Sequence, residues 1–106
     1  MNDLPKQQCR MTRLTKQYLA VLATAMTGGY VVTVHEAGAG VWAVAVKFEG
    51  QDSQQIATSR GELKVWRNLI GAITFVQDNC AAASDVYIEV GGWRLCRVPV
   101  AELVRG

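Results

Sequence analysis

The apolar positions first follow helical spacing: Leu14, Tyr18, Val21, Leu22, Ala25 and Met26 fall at i, i+4, i+7, i+8, i+11 and i+12. Such a stripe lies along one side of a helix and leaves Arg13, Lys16, Gln17 and Thr24 largely away from it. Gly28-Gly29 follows, and a left-handed C-terminal cap favours glycine. The spacing predicts a helix from about Thr12 to Thr27.

The period then shortens to two. Tyr30–Glu36 is rich in β-branched residues, and Ala37-Gly38-Ala39-Gly40 turns the chain. In Val41–Phe48 a bulky face of Trp42, Val44, Val46 and Phe48 alternates with a thinner one of Val41, Ala43, Ala45 and Lys47. With both faces suited to being covered, this segment reads as a central strand. Gln54–Ser59 and Glu62–Arg67 read as a hairpin around Arg60-Gly61, where glycine makes a positive φ cheap.

Asn68 suits a helix N-cap, because its side chain can accept an unpaired first-turn N–H. Leu69, Ala72, Ile73, Val76 and Cys80 then share a helical face, and Ala81–Ser84 closes the helix. Asp85–Val90 alternates, with Val86, Ile88 and Val90 expected inward. Gly91-Gly92 makes a two-residue turn into a return strand Trp93–Val98, and Pro99 interrupts further pairing.

The expected order is therefore α-β-β-β-β-α-β-β. Hairpin-length loops imply a mainly antiparallel sheet with two helices on one face, an α+β two-layer sandwich. Residues 1–10 are polar, contain Pro5 and read as a loose arm, leaving 11–106 as a single domain. The expected core joins Leu14, Leu22, Trp42, Val44, Val46, Val65, Ile73, Val76, Val86 and Ile88.

Composition narrows the class. A chain of 106 residues suits one domain, and 50% apolar against 19% charged is too hydrophobic for a disordered chain. No apolar run approaches the ~18 residues of a membrane span. The N-terminus lacks the basic-then-apolar order of a secretory signal, so a cytoplasmic protein without membrane contact is expected. Cys9, Cys80 and Cys96 are odd in number and widely spaced, which favours reduced thiols over a disulfide framework.

Net charge is only +2, yet it is banded. Residues 1–28 sum to +3, 29–59 to −2, 60–67 to +2, 68–92 to −3 and 93–106 to +2. Once folded, bands can become patches. Arg13, Lys16, Arg60, Lys64 and Arg67 are the candidate cations, with Trp66 beside Arg67 and Trp93 beside Arg94. Arginine–aromatic pairs suit partner surfaces and also stack on bases. Either tryptophan could instead simply close the core of a small domain.

No catalytic signature emerges. His35-Glu36 is the one histidine beside a carboxylate, but adjacent strand residues point to opposite faces. Cys9, His35, Cys80 and Cys96 match a zinc ligand count without the short paired spacing that preorganises such a site. Strand position alone does not activate Cys96 as a nucleophile. Gly28-Gly29 ends a helix instead of opening one, and no Gly-Lys-Ser/Thr follows Gly40, so phosphate-loop signatures are lacking. No catalytic residue, metal or cofactor is assigned.

The segment Thr58-Ser59-Arg60-Gly61-Glu62-Leu63-Lys64-Val65-Trp66-Arg67-Asn68-Leu69 precedes an apolar helix through Phe75-Val76 and the strand Asp85–Trp93. This pattern resembles small plasmid-encoded accessory proteins associated with partition or replication. Ile70 and Gly71 depart from the helix formers of that pattern, and Met1–Gln54 lies outside the resemblance. The resemblance implies a non-enzymatic accessory protein of a mobile element, acting in plasmid maintenance. Its basic residues would contact DNA phosphate or an acidic protein. The alternative is a small inhibitor of a host nucleic-acid enzyme, of the antirestriction or anti-CRISPR type. A half-apolar chain this short, with tryptophans to spare, is also expected to form a homodimer through its sheet or a tryptophan-bearing face.

Overall fold

The computed structural model describes residues 13–25 and 29–98. Its elements are β1 (Arg13–Thr15), α1 (Lys16–Ala25), β2 (Tyr30–Gly38), β3 (Val41–Phe48), β4 (Gln54–Ala57), α2 (Leu69–Asn79), β5 (Asp85–Val90) and β6 (Trp93–Cys96). The expected arm at 1–10, the helix ends at Thr12 and Met26-Thr27, and the tail from Pro99 lie outside the described residues.

The six strands form one sheet in the order β1-β4-β3-β2-β5-β6, with both helices on one side. The α+β two-layer class expected from the periodicities is the class observed. The sheet is mixed. β2–β3, β3–β4 and β5–β6 pair antiparallel, while β1–β4 and β2–β5 pair parallel. None of the described helices is long and apolar enough to cross a membrane.

Strand β3 sits between β4 and β2, and it is covered on both faces as its sequence suggested. Val44, Val46 and Phe48 are fully buried toward the helices, and Ala43 is fully buried on the opposite side. Tyr30, Val32 and Val34 of β2, Ile56 of β4, Leu14 of β1 and Val86 of β5 complete the sheet's share of the core. From above, Leu19 of α1 and Ala72, Phe75 and Val76 of α2 close it. Asn68 caps α2 as expected, its Oδ1 accepting from Gly71 N–H at 2.7 Å.

Two expected elements are different in the structure. Residues 13–15 form a strand, because Leu14 and its neighbours pair in parallel with Gln55–Ala57. That ladder lies along one edge of β4, and on the other β3 pairs with β4 only at Gln54 and Gln55. The chain after Gly61 turns back antiparallel onto the remaining end of β4: Ala57 bridges Leu63, Thr58 N–H donates to Glu62 O at 2.7 Å and Lys64 N–H to Ile56 O at 3.0 Å. It then passes to β3, where Trp66 bridges Trp42. The expected hairpin thus begins around Arg60-Gly61, but Glu62–Arg67 forms isolated bridges and no continuous strand. The observed order is accordingly β-α-β-β-β-α-β-β.

The same ladder resets the phase of α1. Thr15 Oγ1 accepts from Tyr18 N–H at 3.2 Å, so the helix begins after β1 and not with it. Leu19, Leu22 and Ala23 become the inward stripe, whereas Tyr18 and Val21 are 53% and 58% exposed. Val65, expected in the core, is also exposed, since its segment is no strand. Ile73 and Ile88 are only partly buried, at the border of a groove described below.

Leu19→Ala should therefore cost about 2–5 kcal/mol of stability, and Val21→Ala no more than about 0.5 kcal/mol. Urea titration of the two variants checks this. Equal losses would restore the phase read from Leu14, Tyr18 and Val21.

Candidate functional site

The β1–β4 ladder gathers residues distant in sequence. Arg13, at the start of β1, reaches the turn after β4, where its guanidinium Nη1 donates to Gly61 O at 3.1 Å. The turn itself is closed by Gly61 N–H donating to Thr58 O at 2.8 Å. Thr58 Oγ1 accepts from the N–H groups of Arg60 and Glu62, both at 3.3 Å. Gly61 has φ +90°, the left-handed geometry expected of it.

Beside this turn lies an open hollow of about 520 Å³. Lys16 and Gln17 of α1, Thr58, Ser59, Lys64 and Trp66 line one part of it, and Thr74, Asp78 and Asn79 of α2 line another. The Lys64 ammonium stands 5.2 Å from the centre of the Trp66 ring, within cation–π range. Lys16 and Lys64 thus line the hollow, with Asp78 the single carboxylate in the lining, and Arg13 and Arg60 sit at the adjoining turn together with Glu62. Arg67 is exposed immediately after Trp66.

Trp66 is held firmly. Its backbone exchanges two hydrogen bonds with Trp42, each 2.8 Å long, and its ring packs on Phe75 at 5.1 Å. A Cβ at Gly71 would meet Trp66 Cδ1 at 3.1 Å. Glycine at that position costs the helix about 1 kcal/mol relative to alanine, but lets the indole lie across its first turn. Trp66 is therefore a core-closing residue whose outer surface forms part of the hollow.

Trp93 and Arg94 lie at the opposite edge, on β6, so the eight expected site residues fall into two groups. Arg94 is engaged within its own sheet face. It pairs with Glu89 at 2.9 Å and lies 4.5 Å from the Tyr87 ring centre. Trp93 is 72% exposed, the most exposed large apolar side chain described. Tyr87 was not anticipated as a site residue, although the two-residue turn at Gly91-Gly92 fixes the register that aligns Glu89 with Arg94. Thr58 and Ser59 were missed because nothing local marks the hollow they line.

His35 does not form a carboxylate dyad. Its Nε2 lies 3.1 Å from Gln55 Oε1 and its Nδ1 3.2 Å from Glu36 O, while Glu36 stands opposite Trp42 in the register. Among the described residues, no three His, Cys, Asp or Glu side chains gather as a metal site. No protein-family profile matches the chain, and neither the curated proteins nor the solved structures provide a match.

Cys80 and Cys96 are free thiols in contrasting settings, and Cys9 lies outside the described residues. Burial pushes the Cys80 thiol up to about 11, so it resists forming the nucleophilic thiolate. Burial, and next the nearby Cys80, also raise the Tyr30 phenol. Both groups hold their protons more tightly folded than unfolded. Their contribution to stability is complete below the ordinary thiol range and is lost as pH rises toward 11. At pH 8 a thiol reagent should modify Cys96 readily and Cys80 only on unfolding. The denaturation midpoint should fall between about pH 9 and 11, less steeply in Cys80→Ala. Rapid labelling of Cys80 in the native protein, followed by mass spectrometry, would contradict its burial.

Proposed function

We propose that the protein is a non-enzymatic accessory factor of a mobile genetic element, of the plasmid-maintenance kind, and that it binds the phosphate backbone of DNA as a homodimer. The carrying observation is that Lys16 and Lys64 line one hollow beside Trp66, with Arg13 and Arg60 at the adjoining turn. These residues come from two separate basic bands of the sequence, and an acidic band lies between them. Their flexible cationic heads suit phosphate, which positions a protein on DNA without reading bases. The partly open indole offers a stacking surface for a sugar or an unpaired base.

Four phosphate contacts give a slope of log K against log salt of about −3.6, so affinity should fall about 150-fold between 50 and 200 mM salt. Lys16→Glu with Lys64→Glu should lower that slope by about two and leave the fold intact. Fluorescence anisotropy of a labelled duplex provides the slope, and circular dichroism checks the fold.

The second reading is a protein inhibitor of a host nucleic-acid enzyme, and the exposed apolar edge at Trp93 and Leu95 favours it. An apolar protein interface changes little with salt. Salt-independent capture of a protein partner, abolished by Trp93→Ala and unaffected by the lysine reversals, would replace the DNA reading.

A further inference from the structure

Strand β6 ends the sheet, and among the described residues nothing pairs with its outer edge. The direction of its backbone groups follows from the hairpin. Arg97 N–H donates inward to Val86 O at 2.9 Å, and Ile88–Leu95 and Val90–Trp93 are paired positions of the same parity. In an antiparallel ladder, hydrogen-bonding residues alternate. Trp93, Leu95 and Arg97 therefore turn their backbone groups toward β5, and Arg94 and Cys96 turn theirs outward. The side chains alternate too. Leu95 shares a face with Ile88 on the helix side, while Arg94 shares a face with Glu89 on the open side.

On the helix side this edge is apolar. Leu95 and Val98 are 49% and 43% exposed, and Leu95 borders a groove with Ile73, Val76, Val86 and Ile88. An edge with unpaired backbone and exposed apolar side chains is a template for another strand. On this face β6 carries Trp93 and Leu95, and the one charge that follows on it, Arg97, is tied back to the loop before β5, its Nη2 donating to Ala83 O at 3.3 Å.

We infer that β6 pairs antiparallel with β6 of a second copy about a twofold axis through Leu95, joining two six-stranded sheets into one. The inference rests on the homodimer of the reading above and names its interface. Charge selects the occupant and the register. Only even-numbered residues have outward backbone groups, which leaves three central alignments. Centring on Arg94 sets two guanidinium groups directly opposite one another. Centring on Cys96 sets Leu95 against the partner's Arg97. Centring on Leu95 pairs the two leucines, sets Arg94 against the partner's Cys96, and brings Trp93 over the partner's Arg97. This last alignment has no opposed like charges, pairs the two exposed leucines, and lays the most exposed indole against the stem of the partner's Arg97, whose guanidinium Nη2 donates to Ala83 O at 3.3 Å. Each tryptophan can bury about 150–250 Å², so two supply a substantial share of the ~1,000 Å² a specific interface requires.

In this register Leu95 and the partner's Leu95 form a non-hydrogen-bonded pair, whose Cα separation of about 4.5 Å permits a disulfide. The test uses the full chain at micromolar concentration. Sedimentation should show a dimer, and Leu95→Lys, which sets two ammonium groups on the axis, should give a monomer with an unchanged circular dichroism spectrum. In a Cys9→Ser, Cys96→Ser background, Leu95→Cys should cross-link under mild oxidation. In a Cys9→Ser background alone, Cys96 should not. A chain that is monomeric throughout overturns both this interface and the homodimer, leaving the phosphate surface on the opposite edge to its own salt test. A dimer that survives Leu95→Lys, or that cross-links through Cys96 in place of position 95, overturns this interface alone.

Discussion

The three-residue parallel ladder between Arg13–Thr15 and Gln55–Ala57 governs much of what surrounds it. It buries Leu14 against the core and ends at Thr15, whose hydroxyl starts α1. With β1 on one edge, β4 takes the chain after Gly61 on the other: Ala57 bridges Leu63 and Lys64 N–H donates to Ile56 O, and the segment then bridges Trp42. This path carries Lys64 and Trp66 to the hollow that Lys16, at the start of α1, also lines. The basic surface thus depends on β4 being paired along both of its edges.

The difference between what was readable and what was not follows the range of the interactions. The alternation of Val41–Phe48, the cap at Asn68 and the turn at Gly91-Gly92 are local signals, and each forms its expected structure. The β1–β4 pairing spans about forty residues and leaves no local periodicity, because a three-residue strand is too short to show one. Leu14 was correctly placed in the core, but as the start of a helical stripe. Extending that stripe turned Tyr18 and Val21 inward, when the true stripe begins at Leu19. That Lys16 and Lys64 line one hollow was not legible, since only long-range pairing on the two edges of β4 brings them together.

The two tryptophans singled out by their arginine neighbours illustrate how similar sequence contexts diverge. Trp66 is clamped between Trp42, Phe75 and the missing side chain of Gly71, so most of its apolar surface is already used inside the fold. Trp93 follows a tight glycine turn on an edge strand, where no described element covers it. The neighbouring arginines diverge as well. Arg94 is drawn to Glu89 and Tyr87 on the open face of the sheet, while Arg67 is exposed immediately after Trp66. An exposed ion pair such as Arg94–Glu89 contributes little to stability, about 0–1 kcal/mol, and strand alternation already places it on the face opposite Trp93 and Leu95.

The positions of the two surfaces, at opposite edges of one sheet, constrain how they could act together. Pairing through β6 leaves each basic hollow, over the end of β4, toward a far end of the joined sheet, with the two β4 strands nine spacings apart. At about 4.8 Å per spacing this is roughly 43 Å before twist shortens it. Such a span exceeds one helical turn of DNA, about 34 Å, so the two hollows cannot sit on adjacent turns of a straight duplex without sheet twist bringing them closer. They suit instead two separated stretches of backbone, on one bent duplex or on two duplexes. The gain from linking two weak sites depends on whether both can be occupied at once. An edge-to-edge dimer of this sheet therefore favours bridging over tight local binding, which is consistent with weak, base-independent contacts at each end.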